Sequence, residues 1–182
     1  LVNSLKQYDL VPGRYFLFVG TVQPRKNLER VIKAFSFVKL KLVVVGSKGW
    51  LSDEIYSLPK KLGIEDRVRF LGYVPDEKLP ALYSGAQALV FPSLFEGFGL
   101  RILESQACGC PVITSNVSSM PEVAGKGAIL VNPYSIDDIV KGMVESQKSK
   151  VKSKKIKAGF ENIKRFAWEK CARETLKVLE NI

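Results

Sequence analysis

Residues 88–115 read "ALVFPSLFEGFGLRILESQACGCPVITS". The apolar run 88–93 predicts a strand, 97–108 carries the period of an amphipathic helix, and "PVITS" (111–115) predicts a second strand. That much is ordinary βα alternation. What it does not require is an acidic residue, Glu96, and two glycines, Gly97 and Gly99, bracketing Phe98 where the first strand stops.

The same alternation runs outward in both directions. Upstream, strands are predicted at "YFLFVG" (15–20), "KLVVVG" (41–46) and "RVRFLGYV" (67–74). Between them lie helical patterns over 27–38, 52–63 and 76–86, the first with Leu28, Val31, Ile32, Phe35 and Val38 on one face. Asn27 is expected to cap that helix, and Pro59 to mark a break or a late kink in the second. Downstream come a short helical turn at "PEVAG", a strand at "GAILV" (127–131), and two or three helices filling 136–181. Continuous apolar strands separated by helices imply a parallel sheet covered on both faces. Six such strands make an α/β domain, a doubly wound Rossmann-like parallel sheet, in which ligands bind beyond the carboxyl ends of the strands.

Composition narrows the chemistry. The chain has 182 residues, enough for one domain with a real core, and opens with Leu1 rather than methionine, as a piece of a longer protein would. It contains no histidine, which removes histidine triads and most zinc sites. Three cysteines, Cys108, Cys110 and Cys171, are expected to be small buried thiols of a reducing, cytoplasmic compartment. No D-x-D occurs, and no metal is expected. Of the net +10, residues 141–182 supply +7, with 12 Lys/Arg against 5 Asp/Glu. The run Lys148–Lys157 ("KSKVKSKKIK") reads first as a solvated helix face and second as peripheral contact with an anionic membrane. No aromatic residue interleaves with it, and no nucleic acid is expected as a partner.

The predicted carboxyl ends gather the unusual residues. After the first strand, Gly20 allows a tight turn, and Arg25 and Lys26 stand just before a helix, a placement suited to phosphate. After the third strand, the loop holding Tyr73 and Val74 could lie against a base. After the fourth, the amides of Phe98, Gly99 and Leu100 would open a helix and face an anion. Glu96 has the wrong charge for an anion but suits hydroxyls, as does Glu104, eight positions on and about 12 Å away at helical rise. Two hydroxyl acceptors flanking a diphosphate cradle describe a nucleotide sugar.

These motifs together resemble the C-terminal, donor-binding half of a retaining glycosyltransferase of family 4 (glycosyl transferases group 1), a two-domain GT-B protein. The resemblance runs in order through "FVGTVQPRKNLERVIKAF" (18–35), "LVVVGSKGW" (42–50), "FLGYVPDEKLPALYSGA" (70–86), "FPSLFEGFGLRILESQACGCPVITS" (91–115) and "MPEVAGKGAILVNP" (120–133). "RFAWEKCARETLKVL" (165–179) is similar to the family's closing helix.

By position the resemblance implies that Glu96 binds donor-sugar hydroxyls beside the reacting centre and that Glu104 binds the nucleotide ribose. It further implies that Lys26 and Arg25 stabilise the diphosphate leaving group, with main-chain contacts from the segment Gly97 to Leu100. Tyr73 and Val74 would pack on the base. Residues 1–182 would form one donor domain whose last helices, 151–182, cross toward an N-terminal domain that binds a saccharide or lipid-linked acceptor. The run "PRKNLERVIKAF" is similar to mannosyltransferase-like members, which implies GDP-mannose as donor and no separate cofactor. Thr21 stands where many members have arginine, and Arg101 where many have proline. That arginine would be exposed or would reach the diphosphate. Two other classes compete: a sugar-nucleotide epimerase or phosphorylase of the same fold, and a nucleotide-binding or membrane-docking module without catalysis.

Overall fold

The computed structural model of the chain describes residues 2–181. In chain order the elements are α1 (Val2–Lys6), β1 (Tyr15–Val19), α2 (Leu28–Phe35), β2 (Lys41–Val45) and α3 (Asp53–Lys61). Next come β3 (Val68–Gly72), α4 (Leu79–Gly85), β4 (Ala88–Phe91), α5 (Leu100–Ala107) and β5 (Val112–Ser115). The last are α6 (Met120–Ala124), β6 (Ala128–Val131), α7 (Ile136–Ser146), α8 (Ser149–Ile163) and α9 (Trp168–Leu179). The six strands form one parallel sheet in the order β3-β2-β1-β4-β5-β6, the expected doubly wound arrangement.

The strand period divides the core in two. Along β1, Tyr15, Leu17 and Val19 point to one face, and Phe16 and Phe18 to the other. The first face is covered by Leu5 of α1, Leu79, Leu82 and Tyr83 of α4, Ile102 of α5 and Val123 of α6. The second is covered by Leu28, Val31, Ile32 and Phe35 of α2, Ile55 of α3, and Ile139 and Met143 of α7. All five side chains predicted for the apolar face of α2 are buried, although Val38 lies beyond the helix end.

Four local expectations need correction. Pro59 does not break α3. It lies in the last turn, and the helix runs on to Lys61 before Leu62 ends it. Asn27 stands at the N-cap position of α2 in the left-handed region, with no side-chain cap; its Oδ1 accepts instead from Arg30 Nη1 at 3.0 Å. Of the cysteines, only Cys110 is fully buried; Cys108 is half-buried and Cys171 is exposed. Burial pushes the Cys110 thiol up to about 11, so it is inert as a nucleophile. The basic run is not one uniform solvated face either. Lys155 turns inward and its Nζ donates to the carbonyl of Ala128 at 2.6 Å, while Lys150, Lys154 and Lys157 remain exposed at helical spacing on α8. Among the described residues no helix is long and apolar enough to cross a membrane.

Candidate functional site

The strand order reverses direction between β1 and β4, and the loops that leave the carboxyl ends of these two strands meet there. One loop carries Gly20 to Asn27 and the other Pro92 to Gly99. The amide of Leu94 donates to the carbonyl of Arg25 at 2.9 Å, which ties them together. Asn27 completes the junction. Its buried Nδ2 donates to the carbonyls of Pro92 (2.9 Å) and Pro133 (2.8 Å), joining the loops after β1, β4 and β6.

This junction brings Arg25, Lys26 and Glu96 together. Lys26 Nζ lies 2.7 Å from Glu96 Oε1, and Arg25 Nη1 lies 3.0 Å from Oε2. Arg25 Nη1 also donates to the carbonyl of Phe95 at 2.5 Å. Glu96 is only 8% exposed. Burial works to raise its pKa, but the hydrogen bonds from Lys26 and Arg25 and the charge of Lys26 outweigh it and hold the carboxyl below its ordinary range. The hydroxyl of Ser93, buried beside this cluster, forms no hydrogen bond. It is the one buried side-chain polar atom among the described residues without a partner. The three charged residues picked out from the sequence are therefore neighbours. The cations expected to face a phosphate are held by the carboxylate expected to face a sugar.

Beyond Glu96 the chain crosses open space. A Cβ on Gly97 would touch nothing within 4 Å. Gly99, at φ +108, is the residue before α5, a backbone state that L side chains rarely adopt. α5 begins at Leu100, three residues later than the predicted start at 97, because Gly99 still lies in that left-handed state. Among the described residues nothing accepts from the amides of Phe98, Gly99 and Leu100. Gly20, at φ +154, lies beneath Lys26, whose Cε would be 3.7 Å from a Cβ there. Thr21 and Leu100 are exposed.

The loop after β5 supplies residues that the sequence reading missed. Ser118 Oγ donates to the carbonyl of Glu96 at 2.9 Å, and Ser119 Oγ approaches the carbonyls of Glu96 (3.0 Å) and Phe98 (2.8 Å). Ser118 holds φ +58, a conformation that costs a non-glycine residue about 1–2 kcal/mol. The strain is offset by hydrogen bonds that fix the Glu96–Phe98 backbone. The Phe98 ring stacks edge-on against Phe166 at 5.8 Å. No pattern in "SNVSSM" signals this clamp, since serines in loops are common.

The remaining residues sit nearby on the same carboxyl edge. Tyr73 is exposed just past β3, whereas the side chain of Val74 is buried in the core, so only its main chain could meet a base. Glu104 lies on α5 with both oxygens engaged by Arg101 Nη1, at 3.0 and 2.8 Å, and with Oε2 also accepting from Tyr83 Oη at 2.8 Å. Arg101 is thus half-exposed and paired with Glu104. Among the described residues no three Cys, Asp or Glu side chains gather as a metal site would need.

Comparisons with known proteins bear on the family and the fold. The chain is 37% identical over 179 residues to the O-antigen chain mannosyltransferase B of Escherichia coli, covering 94% of this chain and 47% of that protein. It superposes on sucrose-phosphate synthase from Thermosynechococcus elongatus with a TM-score of 0.87 at 28% identity, covering 100% of this chain and 48% of that one. HepE from Anabaena, solved with UDP and glucose, matches with a TM-score of 0.87 at 20% identity, a likeness of fold that covers 99% of this chain and 52% of that one. The chain spans about half the length of the relatives it matches, and its sheet corresponds to one lobe of the two-lobed GT-B fold. With residues 6–174 matching the model of that family, the chain belongs to the glycosyl transferases group 1 family.

Proposed function

We propose that this chain is the donor-binding half of a retaining glycosyltransferase that moves a hexose from a nucleotide-diphosphate sugar to an acceptor hydroxyl. The observation that carries the reading is the Arg25–Lys26–Glu96 cluster at the point where the strand order reverses. An incoming diphosphate competes with Glu96 for the two cations. The free amides of Phe98, Gly99 and Leu100, at the start of α5, offer it further donors. Glu96, released from those cations, accepts from sugar hydroxyls. Gly97, with nothing in front of it, leaves room for the ring.

In the reaction the bond between the anomeric carbon and the diphosphate oxygen breaks, the acceptor oxygen bonds to that carbon, and the acceptor's hydroxyl proton passes to the departing diphosphate. Negative charge grows on the diphosphate while positive charge grows on the sugar. Arg25 and Lys26 stabilise the first, and Glu96, as an ionised carboxylate, stabilises the second. Tyr73 and the main chain at Val74 face the base, and Glu104 faces the ribose. The acceptor, a saccharide or a lipid-linked saccharide, belongs to the other lobe. The exposed apolar face of α9 (Trp168, Leu176, Leu179) is the surface on which that lobe would pack. The exposed stripe Lys150, Lys154 and Lys157 would lie against an anionic membrane.

Mannose is the sugar that the E. coli relative's name favours, so GDP-mannose is the donor proposed. Calorimetric titration of the 182-residue chain with GDP-, UDP- and ADP-sugars in the presence of EDTA tests the reading. GDP-mannose should bind most tightly and without metal. Absence of binding by every nucleotide sugar would overturn the donor site, and tightest binding of a UDP- or ADP-sugar would overturn the choice of donor.

A further inference from the structure

Two residues beside Glu104 have no duty in the donor site as described. Tyr83, on α4, is 1% exposed, and its hydroxyl ends on Glu104 Oε2 at 2.8 Å. Arg101, nearly one turn before Glu104 on α5, sends Nη1 to both carboxylate oxygens at 3.0 and 2.8 Å. A carboxylate oxygen has two lone pairs to offer. Oε2, with two donors, is full, while Oε1, with one, keeps an acceptor position open.

Resting on the donor-site reading above, we propose that Tyr83 and Arg101 are positioning residues that present Glu104 Oε1 to a ribose hydroxyl of the nucleotide. A glutamate on a helix surface ordinarily samples several rotamers, and binding must pay to order it. Here the ordering is done in advance from two sides, one of them a core side chain that cannot move without unpacking α4. Burial, and next to it the charge of Glu104, push the Tyr83 phenol far above its ordinary value, so it remains a donor at any working pH. With Arg101 the orientation of Glu104 is built by charge.

A purely structural role, pinning α4 to α5, would give the same hydrogen bonds, so the test must read the ribose itself. Calorimetry on the 182-residue chain compares GDP with its 2′-deoxy and 3′-deoxy counterparts, and UDP with its own pair in parallel. In the wild type, loss of the hydroxyl that Oε1 reads should weaken binding about tenfold or more, as for a hydrogen bond to a charged group. In Tyr83→Phe and in Arg101→Ala that penalty should shrink to about twofold, with the deoxy form bound much as before. A penalty unchanged in both variants overturns the proposal and leaves a structural pin. Should melting curves show Tyr83→Phe unfolded, Arg101→Ala decides alone, since this residue is half-exposed and its amide makes no bond outside the helix. If no nucleoside diphosphate binds the wild type, the donor-site reading and this proposal fall together. If they bind with unaltered penalties, only this proposal falls.

Discussion

The carboxyl edge of the sheet and the last helix are opposite in how they treat their side chains. At the edge, Arg25, Lys26, Glu96, Arg101 and Glu104 each have a protein partner, and buried Asn27 and Tyr83 hold the loops and helices that carry them. Along α9 no residue is buried, and Trp168 is 76% exposed, with Leu176, Val178 and Leu179 exposed beside it. Both regions have the sequence of functional surfaces. The first is closed on itself because everything needed to arrange it lies within these residues. The second is amphipathic with nothing against its apolar side, as a helix built to pack on another body would be. The difference teaches that the proposed donor recognition can be tested on these residues alone, since the groups that would carry it already hold one another.

The largest effect that could break the comparison is separation of Glu96 from Lys26. Lys26→Ala should weaken a bare nucleoside diphosphate and its sugar conjugate alike, by about 1.5–3 kcal/mol, or roughly ten- to a hundredfold. Glu96→Gln should leave the diphosphate bound as well or better, because it frees two cations, while weakening the nucleotide sugar. In a protein that also carries the acceptor-binding lobe, Glu96→Gln should reduce turnover by about a hundredfold or more. Equal weakening of both ligands by Glu96→Gln, or intact turnover, would sink the placement of sugar beside Glu96.

A smaller effect is the stability of the same cluster. The pKa of Glu96 is lower in the fold than its ordinary 4.5, so its ion pairs stabilise the fold above that value and lose their contribution as pH falls through the folded pKa. Glu96→Gln should therefore be less stable than wild type near neutrality, by about 1–3 kcal/mol, and the gap should close in acid below pH 4.5. Melting curves across pH read this directly, and a gap that stays constant into acid would mean the pairs contribute nothing.

The smallest effect belongs to the other region. Exposed lysines near an anionic surface contribute about 1 kcal/mol each. Anionic vesicles should bind the chain in a salt-sensitive way, and Lys154→Ala should weaken that binding by about this amount. Equal binding to neutral vesicles, or none at low salt, leaves the stripe a solvated helix face.

Most of the architecture was legible in the sequence because it rests on local signals. Apolar runs of four or five residues and a helical period between them are enough to predict six parallel strands, and glycines with charges at strand ends mark the edge where ligands bind. The site was legible only as a roster. That Arg25 and Lys26 would both bond Glu96 depends on β1 and β4 being neighbours, a consequence of strand order rather than of spacing along the chain. Ser118 and Ser119 act through hydroxyls on backbone carbonyls more than twenty residues away, and Tyr83 reaches Glu104 across two helices. Such bonds leave no periodic trace. An arginine in the first turn of a helix can serve solvent or a diphosphate, and the pairing of Arg101 with Glu104 is a third outcome that spacing alone does not signal.

Asn27 has a consequence for the order in which the molecule assembles. One side-chain amide joins residues 65 and 106 positions later in the chain, at Pro92 and Pro133. The loop bearing Arg25 and Lys26 therefore cannot be fully fixed until the strand before Pro133 has docked, late in synthesis and at a high cost in loop closure. A growing chain with only its first four strands would have a sheet but no aligned cations. Binding competence should appear as a single late event, when β6 arrives, rather than rising strand by strand.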